Sequence, residues 1–505
     1  MTALSLERLR RGGGELMEEL SREYYRAQAG LQSSAELAPI YARHADVLSD
    51  DSLQMMRELF RDAPAGSEEL RSARILLDWQ AEGLVSRTLA PLDEREIAWE
   101  GSAVVNVADG RAIPFQRIAI EIANTSDRAE RLVLEAARAK LVAAELAPLR
   151  RERFQRERDL TEGLDIAPGY NAAFSALSGI DLPALVDQCQ TFLRDTREMW
   201  EDVFRARVRQ QLGIDPRDAT RADALALMRA PEFDPYFPSS DMEREIRRQT
   251  AEMGVDAHAD GRVVFDTAER EGKRSRAFCA PVRVPYEVYL VLRPHGGQAD
   301  YRTFLHELGH ALHFGYTRAD LPFEFRWLGD NSITEAYAML LDHLMHDSGW
   351  LLRYTGLGRS ALPSFLRAVG FEELHFLRRY AAKLIYEYQL YSGEVSWDSL
   401  PDLYVATLSD ATLFTYDAAD AFVDVDARFY AARYLRAWQL QALIARTLVE
   451  RFDEDWYRNP RSGPWIVEQL FAEGQRELAQ ELAERVAGEP LSFEPLLRAT
   501  EALLV

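Results

Sequence analysis

Apolar residues recur every three to four positions along most of the chain, which is the spacing of an amphipathic α-helix. Leu16 and Leu20 near the start, and Leu53 and Met56 further on, are examples. Pro148 is expected to break or kink one of these stretches, because proline cannot donate a helical hydrogen bond. The pattern therefore predicts a mostly α fold, with helical stretches over residues 14–95, 127–162, 182–212 and from 343 to near the end of the chain.

Residues 99–123 depart from this helical periodicity. Residues 104–107 read Val-Val-Asn-Val, and three isoleucines, Ile118, Ile120 and Ile122, recur at a period of two. The two stretches flank Asp109-Gly110, a pair that is typical of tight hairpin turns. Together they predict a β-hairpin near residues 99–123.

Two further strands are predicted over residues 263–265 and 284–292, which are rich in β-branched and aromatic side chains. Pro285 stands at the start of the second stretch and cannot donate to a sheet ladder, so this strand is predicted to lie at a sheet edge. An edge strand of this kind can pair with an extended peptide backbone. A plain structural strand covered by a helix is the alternative.

Residues 303–313 read TFLHELGHALH and contain the spacing that a zinc site requires. His306 and His310 are four residues apart, so on a helix both imidazoles project from one face about 6 Å apart and can ligate one zinc ion. Glu307 lies beside them, where it can hold the metal-bound water and accept its proton. The alternative is a helix whose histidines belong to an ordinary polar network.

The apolar residues of the same stretch lie roughly opposite its three histidines, which predicts a helix that is buried on one face and lines a site with the other. These apolar residues are Phe304, Leu308, Ala311 and Leu312, and the histidines are His306, His310 and His313.

A zinc site that activates water needs a third protein ligand and an open fourth position. Glu335 stands among the apolar residues of a second predicted helix, over residues 333–342. A lone charge there is costly unless it is paired or bound to metal, so we predict that Glu335 is the third ligand of one Zn²⁺ per chain. The alternative is a capping box that runs from Ser332 to Glu335. His343 and His346 are weaker ligand candidates, more typical of a polar helix face.

These residues resemble the thimet oligopeptidase and oligoendopeptidase F family of zinc metallopeptidases. The resemblance covers roughly residues 240–500. More distantly the sequence is similar to peptidases of the angiotensin-converting enzyme type and the thermostable carboxypeptidase type. The matching stretches are HELGHALH at 306–313, Glu335-Ala336 with Met339 and Asp342, GKRSRAFC at 272–279, and RFYAARY at 428–434.

The resemblance implies a mostly α fold in which two helical subdomains flank a deep substrate channel, with a small β-sheet beside the metal helix. It also implies that Tyr434 or Tyr430 donates a hydrogen bond to the oxyanion of the reaction; core packing is the alternative for two aromatics four residues apart. Family members usually carry a histidine shortly before these tyrosines, where this chain has Asp424 and Asp426. Arg276 likewise replaces a glycine that often follows Gly-Lys-Arg-x.

The length and composition bound the organisation of the chain. With 505 residues, 47% of them hydrophobic, the chain can bury a large core and is expected to form two subdomains. We expect an N-terminal helical subdomain over residues 1–125, which includes the possible hairpin near 99–123, and a helical zinc-peptidase catalytic region over residues 126–505.

The composition also narrows the partners and the location. There is no run of about eighteen apolar residues, so no membrane span is expected. The charged N-terminus lacks an apolar signal core, and the chain has only Cys189 and Cys279, which favours a cytoplasmic protein. A net charge of −22 argues against nucleic acid as a partner, because the phosphates would be repelled.

The sequence thus predicts a zinc-dependent oligopeptidase that hydrolyses internal bonds of short peptides, as a monomer or small homo-oligomer. A metallocarboxypeptidase that trims C-terminal residues is one alternative, and it would need Arg276, Arg326 or Arg433 near the metal to bind the terminal carboxylate. A catalytically silent peptide-binding protein is another, against which Glu307 counts, since such a protein needs no base.

Overall fold

The computed structural model describes residues 5–504; the first four residues of the charged N-terminal stretch, and residue 505, lie outside this range. The fold is mostly α, as predicted. The α-helices of the described residues are, in chain order, α1 (Leu6–Gln28), α2 (Ala38–Arg43), α3 (Asp50–Asp62), α4 (Glu68–Ser102), α5 (Phe115–Asn124), α6 (Arg128–Leu141), α7 (Ala147–Gly163), α8 (Tyr170–Ser178), α9 (Leu182–Asp195), α10 (Arg197–Leu212), α11 (Arg221–Arg229), α12 (Ser239–Met253), α13 (Gln298–Tyr316), α14 (Phe323–Trp327), α15 (Asn331–Asp342), α16 (Ser348–Tyr354), α17 (Leu362–Ser392), α18 (Leu400–Thr412), α19 (Tyr430–Phe452), α20 (Ser462–Gln469), α21 (Ala479–Ala487) and α22 (Glu494–Leu504).

The strands of the described residues form one sheet of two strands and one of three. They are β1 (Val104–Asn106), β2 (Ala112–Pro114), β3 (Val263–Asp266), β4 (Phe278–Arg283) and β5 (Glu287–Val291). No helix within residues 5–504 combines the length and the apolar run that crossing a bilayer requires.

Contacts between residues divide the chain into two compact units, each assembled from separate segments. This division differs from the two consecutive regions, 1–125 and 126–505, that we expected from the sequence. The first unit comprises Met1–Glu82, Glu232–Leu366 and Arg436–Ala499, and the second unit comprises Gly83–Pro231, Arg367–Leu435 and Thr500–Val505.

The first unit contains the three-stranded sheet, in the order β3-β5-β4. Strand β3 runs parallel to β5, and β4 runs antiparallel to it. The prediction that the strand after Pro285 lies at an edge is therefore wrong, since β5 is the central strand. The physical reason is that β5 begins at Glu287, so Pro285 stands in the turn from β4 and its missing N–H takes no place in the ladder.

Helices α1 and α13 cover opposite faces of this sheet. On one face Tyr25 of α1 stacks on Tyr289 of β5, with ring centroids 3.9 Å apart. On the other face Phe304 of α13 meets Phe265 of β3, with ring centroids 5.2 Å apart. Phe265 is paired with Leu290, which is adjacent to Tyr289 in β5. Because successive side chains of a strand point to opposite faces, Phe265 and Tyr289 lie on opposite faces of the sheet. The small sheet predicted beside the helix of His306 and His310 is thus present.

The second unit contains a β-hairpin, as predicted, but only part of its predicted sequence is strand. Strand β1 pairs antiparallel with β2 across the turn that contains Asp109-Gly110. The stretch of isoleucines instead lies in α5, so that part of the prediction is wrong. Ile118 and Ile122 are buried while Ile120 is 57% exposed, so the burial follows the four-residue period of a helix and not the two-residue period of a strand.

Pro148 does interrupt the long helical stretch of the second unit. A π-helical segment, Val142–Leu146, separates α6 from α7, and Pro148 is the second residue of α7. A proline ring crowds the carbonyl four residues earlier, which here is that of Ala144 within the π-helical segment. The π-helical turn is wider than an α-helical turn and so leaves space between the Ala144 carbonyl and the proline ring.

Candidate metal centre

Helix α13 carries the two predicted histidine ligands in the first unit. Its apolar face is fully buried, with Phe304, Leu308, Ala311 and Leu312 all at 0% exposure. The side chains of His306 and His310 are 22% and 12% exposed. The helix is thus buried on one face and has the two imidazoles near its other face, as the sequence predicted.

Helix α15 carries Glu335 one turn after its start. The residue that caps this helix is Asp330, whose carboxylate accepts a hydrogen bond from the Ser332 N–H at 3.0 Å. Burial raises the pKa of Asp330, but Arg436 and the hydrogen bonds to its carboxylate bring it down to about 2. Because Asp330 and not Ser332 is the cap, the capping-box alternative for Glu335 does not form.

A glycine allows α13 and α15 to approach each other closely. A Cβ atom added to Gly309 would lie 2.5 Å from the Cα of Ala338 and 2.5 Å from the carbonyl oxygen of Tyr337. Any side chain at position 309 would therefore push the helices apart. This close contact, one residue from His310 and one turn from Glu335, brings the three predicted ligands together.

The three predicted ligands converge on one point. The Nε2 atoms of His306 and His310 lie 3.5 Å and 3.7 Å from the Oε2 atom of Glu335. All three ligand atoms lie within 4.8 Å of one another. Ligands at about 2 Å from a tetrahedral zinc ion are about 3.3 Å apart, so a small rearrangement would bring this set into zinc geometry. Two imidazoles and one carboxylate also suit zinc chemically.

Each histidine is oriented through its other ring nitrogen. The Nδ1 atom of His306 lies 2.8 Å from Oδ2 of Asp342, and the Nδ1 atom of His310 lies 2.9 Å from Oγ1 of Thr334. These contacts turn both Nε2 atoms toward Glu335. Metal-binding histidines usually have such a partner, which fixes the ring and its tautomer.

The electrostatics of the cluster favour a cation. Burial lowers the pKa of His306, but hydrogen bonds to Asp342 and Glu335 outweigh it and raise the pKa to about 10. Burial raises the pKa of Asp342, whereas His306 and His343 hold it well below its usual range. Burial lowers the pKa of His310. The two carboxylates thus create a site that accepts positive charge, either as a proton or as a metal ion.

The remaining histidines near the site have other surroundings. His313, which the sequence placed near the site-facing side of α13, is fully buried, and burial lowers its pKa to about 3. Its Nδ1 atom lies 3.1 Å from the Thr334 hydroxyl. His343 and His346 lie in the 3-10 helix after α15, where Nδ1 of His343 is 2.6 Å from Asp342.

Glu307 is the predicted base, and it is partly exposed on α13. Burial and the negative charge of Glu307 raise the pKa of the Cys279 thiol. Burial and the charge of Arg276 lower the pKa of Arg274, and the charge of Glu307 opposes this shift in part. The start of β4 and the residues that precede it are therefore neighbours of Glu307.

The predicted tyrosines lie in the second unit, at the start of α19. Tyr430 and Tyr434 are half-buried, and their ring centroids are 4.9 Å apart. Nearby Asp424 accepts a hydrogen bond from Tyr404 at 2.9 Å, and Asp426 pairs with Lys383 at 2.7 Å. The two acids that stand where the family usually has histidine are thus engaged in partly buried pairs, and the catalytic role of the tyrosines stays a prediction.

A scan against models of known protein families and a search among curated proteins each found no match to this chain. The resemblance to the thimet oligopeptidase and oligoendopeptidase F family therefore stays a prediction that depends on the motifs quoted above.

Sequence reasoning missed the residues that orient the ligands. The sequence-based prediction gives Thr334 no role, and Asp342 appears in it only as part of the family motif. The signal was present, because a metal-binding histidine needs a partner for its second nitrogen. Asp342 follows Glu335 by seven residues, so the two lie on the same face of α15, two turns apart.

Proposed function

We propose that the protein is a zinc-dependent peptidase that hydrolyses internal bonds of short peptides. The observation that carries the proposal is the convergence of His306, His310 and Glu335, with a further carboxylate, Glu307, next to the first ligand on the same helix. A protein that only binds the metal ion has no need of that additional carboxylate. A peptidase needs it as a base.

The residues divide the chemistry of peptide hydrolysis among them. His306, His310 and Glu335 would hold the ion, and Asp342 and Thr334 would keep the imidazoles in place. Bound zinc supplies a Lewis acid that activates water and polarises the scissile carbonyl. Glu307 takes the proton from the attacking water and delivers it to the leaving amine.

The substrate backbone is proposed to pair with β4. The strand after Pro285 is the central strand of the sheet, whereas β4 is an edge strand and lies near Glu307. Cys279 of β4 lies opposite Leu290 in the ladder and so faces α13, the helix that carries Glu307. Pro281 on β4 fits an edge position, since its nitrogen has no hydrogen to donate. An extended peptide added at β4 would lie along the metal helix.

Tyr434, or Tyr430, is the proposed donor to the oxyanion, on the strength of the family motif alone. A cytoplasmic location is also proposed, supported by the two cysteines, Cys189 and Cys279, which are both free thiols. Short peptides are the proposed substrates.

Metal analysis of the purified protein tests the site. We expect about one zinc per chain in the wild type, and a large loss in a His310→Ala variant, because two ligands rarely retain zinc. His295→Ala is the matched control, since His295 is an exposed histidine of the same unit outside the cluster. Full zinc occupancy in His310→Ala would contradict the assignment.

A library of mixed peptides, read by mass spectrometry, tests the reaction. Internal cleavage that stops when a chelator removes zinc, and resumes when zinc is returned, is the expected result. Stepwise loss of C-terminal residues would identify a carboxypeptidase instead. Peptide binding without any cleavage by the zinc-loaded protein would identify a silent binding protein.

A further inference from the structure

The residues before β4 form an anchored segment with two exposed arginines. Lys273 is buried, and its Nζ atom donates to the carbonyl oxygens of Asp266 and Ala268 at 2.7 Å and 2.9 Å. The N–H of Arg274 donates to the carbonyl oxygen of Gln28 at 2.8 Å. These contacts fix the backbone that presents Arg274 and Arg276 to solvent.

Neither arginine has a carboxylate partner among the residues that the structure describes. Arg274 contacts the side-chain oxygen of Gln28 at 3.2 Å, and Arg276 forms no ion pair. The chain has 82 acidic residues against 60 lysines and arginines, so acidic partners are abundant elsewhere. Burial and the charge of Arg276 lower the pKa of Arg274, and the charge of Glu307 offsets this only in part, so an incoming anion relieves the remaining repulsion.

The two arginines lie next to the proposed site. Arg276 is two residues from the start of β4, the edge strand that packs against α13. The charge of Glu307 acts on Arg274, and so does the charge of Arg276. The other arginines considered from the sequence are placed differently. Arg326 donates to the Val284 carbonyl at the turn where β4 ends, and Arg433 belongs to the second unit.

We propose that Arg274 and Arg276 form a receptor for a carboxylate group of the peptide substrate, beside the metal centre. The inference rests on the proposed function and adds the substrate class. The substrates are peptides that place a carboxylate group beside the first residues of β4. Arginine suits this role because its planar guanidinium can make two parallel hydrogen bonds to one carboxylate.

The carboxylate has two possible sources in a peptide, its C-terminus or the side chain of Asp or Glu. Three peptides of one neutral sequence separate these sources. The first has a free C-terminus, and the second is amidated. The third is an amidated peptide with one glutamate, made as a series in which the glutamate occupies successive positions. A preference for the first peptide identifies the terminal carboxylate, and a preference for the third identifies an acidic side chain.

The variants Arg274→Gln, Arg276→Gln and the double variant test the receptor. For the preferred carboxylate peptide we expect KM to rise on the order of tenfold, with little change in kcat, because hydrogen bonds to a charged group are lost from substrate and transition state alike. For the neutral amidated peptide we expect no change. Arg359→Gln is the matched control, since Arg359 is an exposed arginine of the same unit outside β4 and the metal centre.

Ionic strength gives a second measurement. The preference of the wild type for the carboxylate peptide should weaken as salt rises from low to physiological concentration, because exposed charges are screened. The double variant should show no such dependence. A merely structural role for the arginines would affect all three peptides equally.

Equal KM values for all three peptides in the wild type, or an equal loss for all three in the double variant, would overturn the receptor while leaving the peptidase proposal intact. If no peptide is cleaved, the peptidase proposal fails. Calorimetry with the zinc-loaded protein and the same three peptides then tests the receptor by itself. Tighter binding of a carboxylate peptide that is lost in the double variant supports the receptor, and equal binding overturns it.

Discussion

At the scale of single residues, Glu307 is the group whose role can be separated most cleanly from folding. Glu307→Gln changes little but the charge, and an amide cannot accept the proton of the attacking water. We expect turnover to fall about a hundred- to ten-thousandfold while the zinc content stays near one per chain. Steady-state kinetics with parallel metal analysis measure both quantities.

Glu271→Gln is the control for Glu307→Gln, since Glu271 is an exposed glutamate of the same unit. Wild-type turnover by the Glu307→Gln variant at full zinc content would remove Glu307 from the mechanism.

The partners of the histidines should affect zinc affinity more than they affect folding. Asp342→Asn weakens the contact to Nδ1 of His306, and Thr334→Val removes the contact to Nδ1 of His310. Changes of this kind usually weaken metal binding ten- to a hundredfold. Competition with a coloured chelator measures the zinc dissociation constant, with the exposed Asp320→Asn as control. An unchanged constant in both variants would show that the rings need no such support.

At the scale of elements, the contact between α13 and α15 determines whether the ligands meet. Gly309→Ala places a Cβ atom 2.5 Å from backbone atoms of α15, which cannot move as a flexible side chain would. We expect a loss of about 1–3 kcal/mol in the free energy of unfolding, together with weaker zinc binding. Urea denaturation with and without zinc measures both effects.

Gly101→Ala is the control for Gly309→Ala, because Gly101 is also helical and an added Cβ meets nothing within 4 Å. Wild-type stability and zinc affinity in Gly309→Ala would mean that the two helices have room to separate without disturbing the site.

At the scale of the whole molecule, zinc should stabilise the fold by linking α13 to α15. A ligand that binds only the native state adds about 2.7 kcal/mol when its free concentration is a hundred times the dissociation constant. Thermal unfolding with added zinc and with chelator should show this difference in the wild type. The His310→Ala variant should show little of it. Equal unfolding temperatures for the wild type with zinc and with chelator would contradict the metal site.

The pH dependence of this effect follows from His306. Its pKa in the metal-free protein is raised from 6.5 to about 10, so the protonated ring stabilises the metal-free fold fully below pH 6.5, and this contribution is lost as pH rises through about 10. Zinc must displace that proton, so zinc binding should weaken as pH falls.

The sequence predicted individual elements better than their arrangement. The three central isoleucines of α5 show why, because a run of alternating isoleucines fits a strand until the burial of Ile118 and Ile122 against neighbouring helices favours the helical period. The position of β5 shows the same limit. Strand order depends on pairing between segments that are distant in sequence, and a proline in the turn contains no information about it.

What the sequence by itself determined is local. The four-residue interval between His306 and His310 fixes both rings on one face of any helix, and the apolar residues of the same stretch fix which face is buried. Only the tertiary structure decided that Glu335 is a ligand candidate and not a cap, and that Asp342 and Thr334 orient the rings. The cap of α15 is a local contact from Asp330 to the Ser332 N–H, whereas the meeting of ligands and partners depends on Gly309 approaching Ala338, a contact between two helices that no local spacing encodes.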